Sequence, residues 1–284
     1  MIETLTEKIK RNIKQVDVTE LSTEYLKLHE YKEEIYNGFS YAAIIQQGML
    51  PQQRHFERLF QEHFVIYQPQ NIVSGDFYWI AEKNDTVLFA VADCTGHGIS
   101  GAMLSVLGIS FLNYVVLGKC HDCLGKMLEE VDKKWIETFN VYSEKGKDND
   151  WMEISLGSFN PKTRVMKFAG ARGKITVING EGTQVIKGDR YPIGGWQIES
   201  NRTYHETEII LPEGSMVYLS SDGFKDQVGG PTNKTMKERQ VRKLLNELFH
   251  LPADIQKSFL SSAFNEWRGN NNQMDDVCLM GLRL

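Results

Sequence analysis

Long apolar runs, dense cysteine and an excess of positive charge are all missing from this chain of 284 residues, and each absence narrows what it does. No stretch approaches the roughly 18 uninterrupted apolar residues that cross a bilayer, and Met1-Ile2-Glu3-Thr4 opens no basic-then-apolar secretion signal. The expectation is a cytoplasmic protein with no membrane partner. Lys and Arg number 32 against 37 Asp and Glu, a formal net charge of -5, whereas a nucleic-acid footprint calls for clustered positive charge. A protein or small-molecule partner is therefore expected, and no nucleic acid. The four cysteines, Cys94, Cys120, Cys123 and Cys278, are scattered in a chain long enough to fold without staples, so reduced thiols are expected. Cys120-His121-Asp122-Cys123 has the spacing of half a zinc site, but a structural zinc site needs a second pair and the sequence holds none. Repeats and low-complexity tracts are also absent. What is present is a 41% hydrophobic composition, enough for one large core or a medium core with a short accessory segment.

The first 50 or so residues differ from the rest. Leu21, Leu26, Leu28, Ile35, Phe39, Ala42, Ala43, Ile44 and Ile45 recur amid Glu and Lys, many at three- and four-residue spacing, which predicts one or two amphipathic helices. They should end at Met49-Leu50-Pro51, because proline pushes Leu50 out of helical dihedrals. From His63 onward, short β-rich runs such as Phe64–Tyr67, Phe77–Ile80 and Val87–Ala92 predict successive antiparallel strands. Two helical patterns follow (98–117 and 124–139), then further strand patterns to residue 219. Two more helices (236–249 and 253–267) and a closing strand from Val277 complete the chain. The order strands, helices, strands, helices predicts an α+β fold, two antiparallel sheets face to face and flanked by helix pairs. The predicted division is a helical linker or regulatory segment over 1–62 and one domain over 63–284.

Four aspartates share a local setting at the start or end of an apolar strand, beside small or turn-forming residues: Asp76, Asp93, Asp222 and Asp275. Taken singly, each reads as a turn or cap residue. Converging carboxylates repel unless cations are present, and hard oxygen ligands suit Mg2+ or Mn2+. Asp93-Cys94-Thr95-Gly96-His97-Gly98 is the clearest, since it joins a ligand, flexible glycines and a titratable imidazole where a buried strand gives way to a helix. A serine-protease reading of Asp93 and His97 finds no serine in a Gly-x-Ser-x-Gly context.

Ser74-Gly75-Asp76-Phe77, Ala92-Asp93-Cys94-Thr95-Gly96-His97-Gly98, Ser221-Asp222-Gly223 and Asp275-Asp276-Val277 occur in the order and setting of the PPM superfamily of metal-dependent serine/threonine phosphatases. The chain most resembles the bacterial SpoIIE/RsbU branch, over residues 63–284, and Ile45 to Pro51 resembles that branch's linker helix. The resemblance implies two Mn2+ or Mg2+ ions bridged by Asp93, with Asp76 and the Cys94 carbonyl completing one site and Asp222 and Asp275 the other. Asp276 is the reserve for Asp275. It further implies in-line attack on phosphorus by a water shared between the ions, with His97 as candidate proton donor. The implied substrate is a phosphorylated regulatory protein such as an anti-sigma-factor antagonist, and the helical segment would meet a second copy or a sensor domain.

Two departures stand out: Cys94 where the eukaryotic branch has glycine, which a backbone ligand tolerates, and Trp151 in Asp150-Trp151-Met152-Glu153 where bacterial members often read Asp-Gly-Met-Asp. Trp151 opens the alternative of a weak or inactive module that signals through its amino-terminal helices. Arg190, in the loop 187–195, is a further candidate for meeting phosphate, against a plain surface role.

Overall fold

Strand β3 (Thr86–Cys94) sends Leu88, Ala90 and Ala92 into one apolar cluster and Val87, Phe89 and Val91 into another. Side chains alternate along a strand, so one buried on both faces must lie between two packed layers. Strand β13 (Val277–Arg283) behaves alike, with Val277 and Leu279 on one side and Cys278, Met280 and Leu282 on the other. These two strands are the centres of two stacked sheets. The computed structural model describes residues 18–118, 123–140, 150–195 and 202–284.

The first sheet runs β2 (Asp76–Lys83), β3, β4 (Trp151–Asn160), β5 (Val165–Ala171), β9 (Thr207–Ile210), with β8 (Ile193–Gly194) paired to β4. The second runs β1 (Glu62–Gln68), β13, β10 (Met216–Ser220), β6 (Lys174–Asn179), β7 (Gly182–Lys187). All these pairings are antiparallel. Helices α3 (Gly98–Gly118) and α4 (Leu124–Asn140) cover the first sheet through Leu104, Ile109, Leu112, Leu128, Val131 and Trp135. A short helix, α5 (Gly223–Asp226), and a hairpin of β11 (Val228–Gly229) and β12 (Lys234–Thr235) lead to α6 (Glu238–Leu248) and α7 (Ala253–Arg268). These two cover the second sheet through Val241, Leu245, Leu260 and Phe264. The four-layer sandwich expected from the sequence is thus the fold, although α5, β7, β8 and the β11–β12 hairpin were not read there.

The amino-terminal pattern forms one helix, α1 (Val18–Met49), which stops two residues before Pro51 as expected. A second, short helix, α2 (Gln53–Leu59), was not foreseen, and its Phe56, with Phe60 just beyond, is buried between the sheets. The Cys120–Asp122 part of the zinc-like segment lies outside the described residues; Cys94, Cys123 and Cys278 are unpaired thiols. Residues Gly98–Val116 of α3 are, by length and composition, apolar enough to cross a membrane. Half of that span is buried inside the protein, where a helix sandwiched between sheet and neighbour needs the same composition.

Gln46 ties α1 to the sandwich. Its buried side-chain amide donates to the Ser74 carbonyl (2.6 Å) and to Ser105 Oγ (2.7 Å), and its Oε1 accepts from the Ser74 backbone N–H (3.1 Å). Ser74 opens the segment that delivers Asp76, so α1, the loop and α3 share one polar knot. Gln46→Ala leaves the Ser74 N–H and carbonyl buried without this partner and is expected to cost about 2 kcal/mol, a fall in Tm of about 3 °C in thermal unfolding. An unchanged Tm would mean that the knot contributes nothing to stability.

Candidate active site

Strand register places the acids. Asp76 at the start of β2 lies opposite Asp93 near the end of β3, and Asp93 lies opposite Glu153 in β4, so three carboxylates stand abreast on neighbouring strands. The second sheet adds Asp222, just after β10, and Asp275, just before β13, at the same end of the sandwich. Proximity across the seam shows in the electrostatics. Burial and then the Asp93 charge hold the Asp76 carboxyl well above the usual carboxylate range, against a hydrogen bond from Ser221. Burial, then Asp222 and Asp275, push Asp93 up to about 8. Burial raises Asp222, Asp275 and Glu153 as well, opposed chiefly by Lys225, by the Asp276 backbone N–H and by Arg172 respectively.

Such a set is costly as it stands, since like charges brought together out of water destabilise one another. Asp76 Oδ2 is buried with no hydrogen-bond partner among the described residues. No three acid, His or Cys side chains close on one point among those residues. An open set of carboxylates nevertheless fits a hard divalent ion, because Mg2+ keeps several waters and takes only one or two carboxylates. The Cys94 carbonyl lies close by: a Cβ on Gly75 would come within 2.9 Å of it and of the Gly96 carbonyl, so glycine is needed where the two loops touch. The Cys94 thiol is fully buried and its pKa is raised well above the ordinary value, first by that burial, which leaves it inert.

The structure gives Asp276 a different task from the one held in reserve for it. Its Oδ1 accepts from the Gln70 N–H (2.6 Å) and its Oδ2 from the Gly75 N–H (2.7 Å), so both oxygens brace the loop that carries Asp76. His97 is exposed in the turn between β3 and α3, and its charge is felt at Asp275. Its ring makes no hydrogen bond among the described residues. Arg190 stands apart from the site, its guanidinium on Tyr191 (2.9 Å to the hydroxyl). Glu153, Lys225 and Ser221 went unread in the sequence; Glu153 had a signal, two residues after Trp151 and therefore on the same face of its strand.

Asp93, Glu153, Asp222, Arg172, Lys174 and Lys225 line one cleft of about 270 Å³, in which Arg172 pairs with Glu153 and Lys225 with Asp222. Lys174 is ion-paired to Glu238, and Lys225 to Asp222 and Asp226.

Comparison with known proteins agrees with this fold. The SiaA-PP2C domain of Pseudomonas aeruginosa superposes with a TM-score of 0.80 at 28% identity, covering 89% of this chain and 98% of that one. The PP2C phosphatase domain of SpoIIE from Bacillus subtilis, solved with a fragment of its regulatory domain, gives 0.64 at 16% identity over 78% of this chain and 63% of that one. RsbX, solved in complex with magnesium, gives 0.53 at 13% over 78% and 94%. No curated protein matches the sequence. The family model of stage II sporulation protein E matches residues 83–284, and with the sandwich and its carboxylate seam this means that the chain belongs to the SpoIIE family of PP2C-fold serine/threonine phosphatases.

Proposed function

We propose that the protein removes phosphate from a phosphoserine or phosphothreonine of a regulatory protein partner, an anti-sigma-factor antagonist or a signalling protein of that kind, with residues 63–284 as the catalytic unit. The observation that carries this reading is the buried, unpartnered Asp76 oxygen among the carboxylates of the seam. In this reading Asp76, Asp93, the Cys94 carbonyl, Asp222 and Asp275 would together hold two Mn2+ or Mg2+ ions. Such ions supply Lewis acidity toward the phosphoryl group and make water acidic enough to react near neutral pH. The chain's own groups do the rest. Asp93, between Asp76 and Glu153 in the register, orients the seam's acids. Lys225, ion-paired to Asp222 and Asp226, adds only background positive charge to the cleft. His97, exposed beside Asp275, hands a proton to the departing serine oxygen.

Leu28, Tyr31, Ile35 and Ile45 of α1 are exposed at helical spacing, which supports contact with a second copy or an upstream sensor domain. The unpaired thiols fit a cytoplasmic setting. The test is phosphate release from a phosphoserine peptide with Mn2+ or Mg2+, with and without chelator. Release that stops on chelation is expected. No release with either ion, together with no ion binding by calorimetry, would replace this reading by that of a noncatalytic module.

A further inference from the structure

Arg172 is held where few side chains are. Its backbone is left-handed (φ 57°) in the turn between β5 and β6, and its N–H donates to the Asp189 carbonyl (2.7 Å). The turn is clamped to β4 as well. Residue 172 forms a parallel bridge with Ile154, and Ser155 Oγ both donates to the Lys174 carbonyl and accepts from the Lys174 N–H, each at 2.9 Å. Gly173 sits so close that a Cβ there would come within 2.2 Å of the Ile154 carbonyl. A side chain on this turn is therefore aimed by the strand that carries Glu153.

The guanidinium lies over the Trp151 ring, 5.2 Å from its centroid, and 3.6 Å from Glu153. Trp151 is fixed in turn, because its N–H donates to Thr95 Oγ1 (3.1 Å), two residues beyond Asp93. The Glu153 contact is too long for a hydrogen bond. Among the described residues the guanidinium donates none, whereas Lys174 and Lys225 are engaged by carboxylates. The cleft lined by Asp93 thus also holds a planar cation, ion-paired to Glu153 but donating no hydrogen bond among the described residues, and positioned by an aromatic face and a rigid turn. The guanidinium fork matches the oxygens of a phosphate.

We propose that Arg172, positioned by Trp151, binds the nonbridging oxygens of the substrate's phosphate monoester, so that the tryptophan at this place helps to build the substrate site. The inference rests on the phosphatase reading above and names the group that takes the substrate in it.

The test is calorimetric binding of inorganic phosphate to the full chain with Mn2+, alongside steady-state hydrolysis of a phosphoserine peptide. Arg172→Gln is expected to weaken phosphate binding and raise KM at least about tenfold, with kcat changed far less. Arg172→Lys keeps the charge without the fork and should recover part of the loss. Trp151→Gly leaves the cation in place but unpositioned and should give an intermediate loss. Arg190→Gln, outside the cleft, is the control and should change neither quantity. Phosphate affinity and KM within about twofold of native in Arg172→Gln, or an equal loss in Arg190→Gln, would overturn the proposal. A native chain that binds phosphate through Arg172 yet releases none from the peptide would instead overturn the phosphatase reading and leave the anion site standing.

Discussion

Asp93→Asn is expected to abolish metal-dependent phosphate release, by about a thousandfold or more, while making the metal-free protein more stable. The first effect follows from its central place, flanked by Asp76 on one strand and Glu153 on the other, with Asp222 and Asp275 across the seam. Loss of a shared ligand removes stabilisation from both ions at once. The second effect follows from the same crowding. In the metal-free protein Asp93 holds its proton up to about 8, against an ordinary value of 3.8. A carboxyl with a raised folded pKa contributes fully below the unfolded value, and that contribution is lost as pH rises through the folded one. Metal-free stability should therefore decline between about pH 4 and pH 8, and more steeply in the native chain than in Asp93→Asn. At pH 8 the variant should gain on the order of 2 kcal/mol. Thermal unfolding with chelator across that range, and again with Mn2+, measures both halves. A variant less stable than native at pH 8 without metal, or one that retains activity, would remove Asp93 from the centre of the site.

Asp276→Ala should cost about as much as a large core truncation, on the order of 3 kcal/mol, although the residue touches no substrate in the proposed reaction. Its carboxylate is buried and accepts from the backbone of Gln70 and Gly75, so truncation strands one buried and one half-buried N–H group in the loop before Asp76. Mn2+ affinity should fall about tenfold or more, since groups that orient ligands matter nearly as much as the ligands. Asp276→Asn separates hydrogen bonding from size. Its amide offers one acceptor and turns an NH2 against the remaining N–H, so it should regain less than half of the lost stability. Calorimetry of Mn2+ binding and thermal unfolding read both outcomes. Native stability and affinity in the alanine variant would show that the loop holds Asp76 without this brace.

The layering was legible because β3, β10 and β13 carry apolar residues on both faces and α4 and α6 carry them on one, which periodicity records directly. The acids at strand ends were legible only as a set, since each alone reads as a turn or cap residue and four in the same setting do not. What escaped depends on distant pairing. Asp275 and Asp276 are adjacent, yet one faces the seam and the other a loop some 200 positions earlier in sequence, and nothing local separates them. Gln46 reads as one more polar residue of an amphipathic helix until Ser74 and Ser105 are brought against it. Arg172 looks like a surface residue in a turn, because its place in the cleft comes from a bridge to Ile154. The membrane-like composition of α3 shows the converse: a helix between sheet and neighbour cannot be told by composition from one meant for lipid.

The position of β13 sets a schedule for the protein's birth. It lies between β1 and β10 in its sheet, yet follows every other element in the chain. Until these seven residues leave the ribosome, β1 and β10 face each other with unpaired edges. A chain that has not yet added β13 is therefore open to edge-to-edge association at two strands, and one short stretch of synthesis closes both edges together.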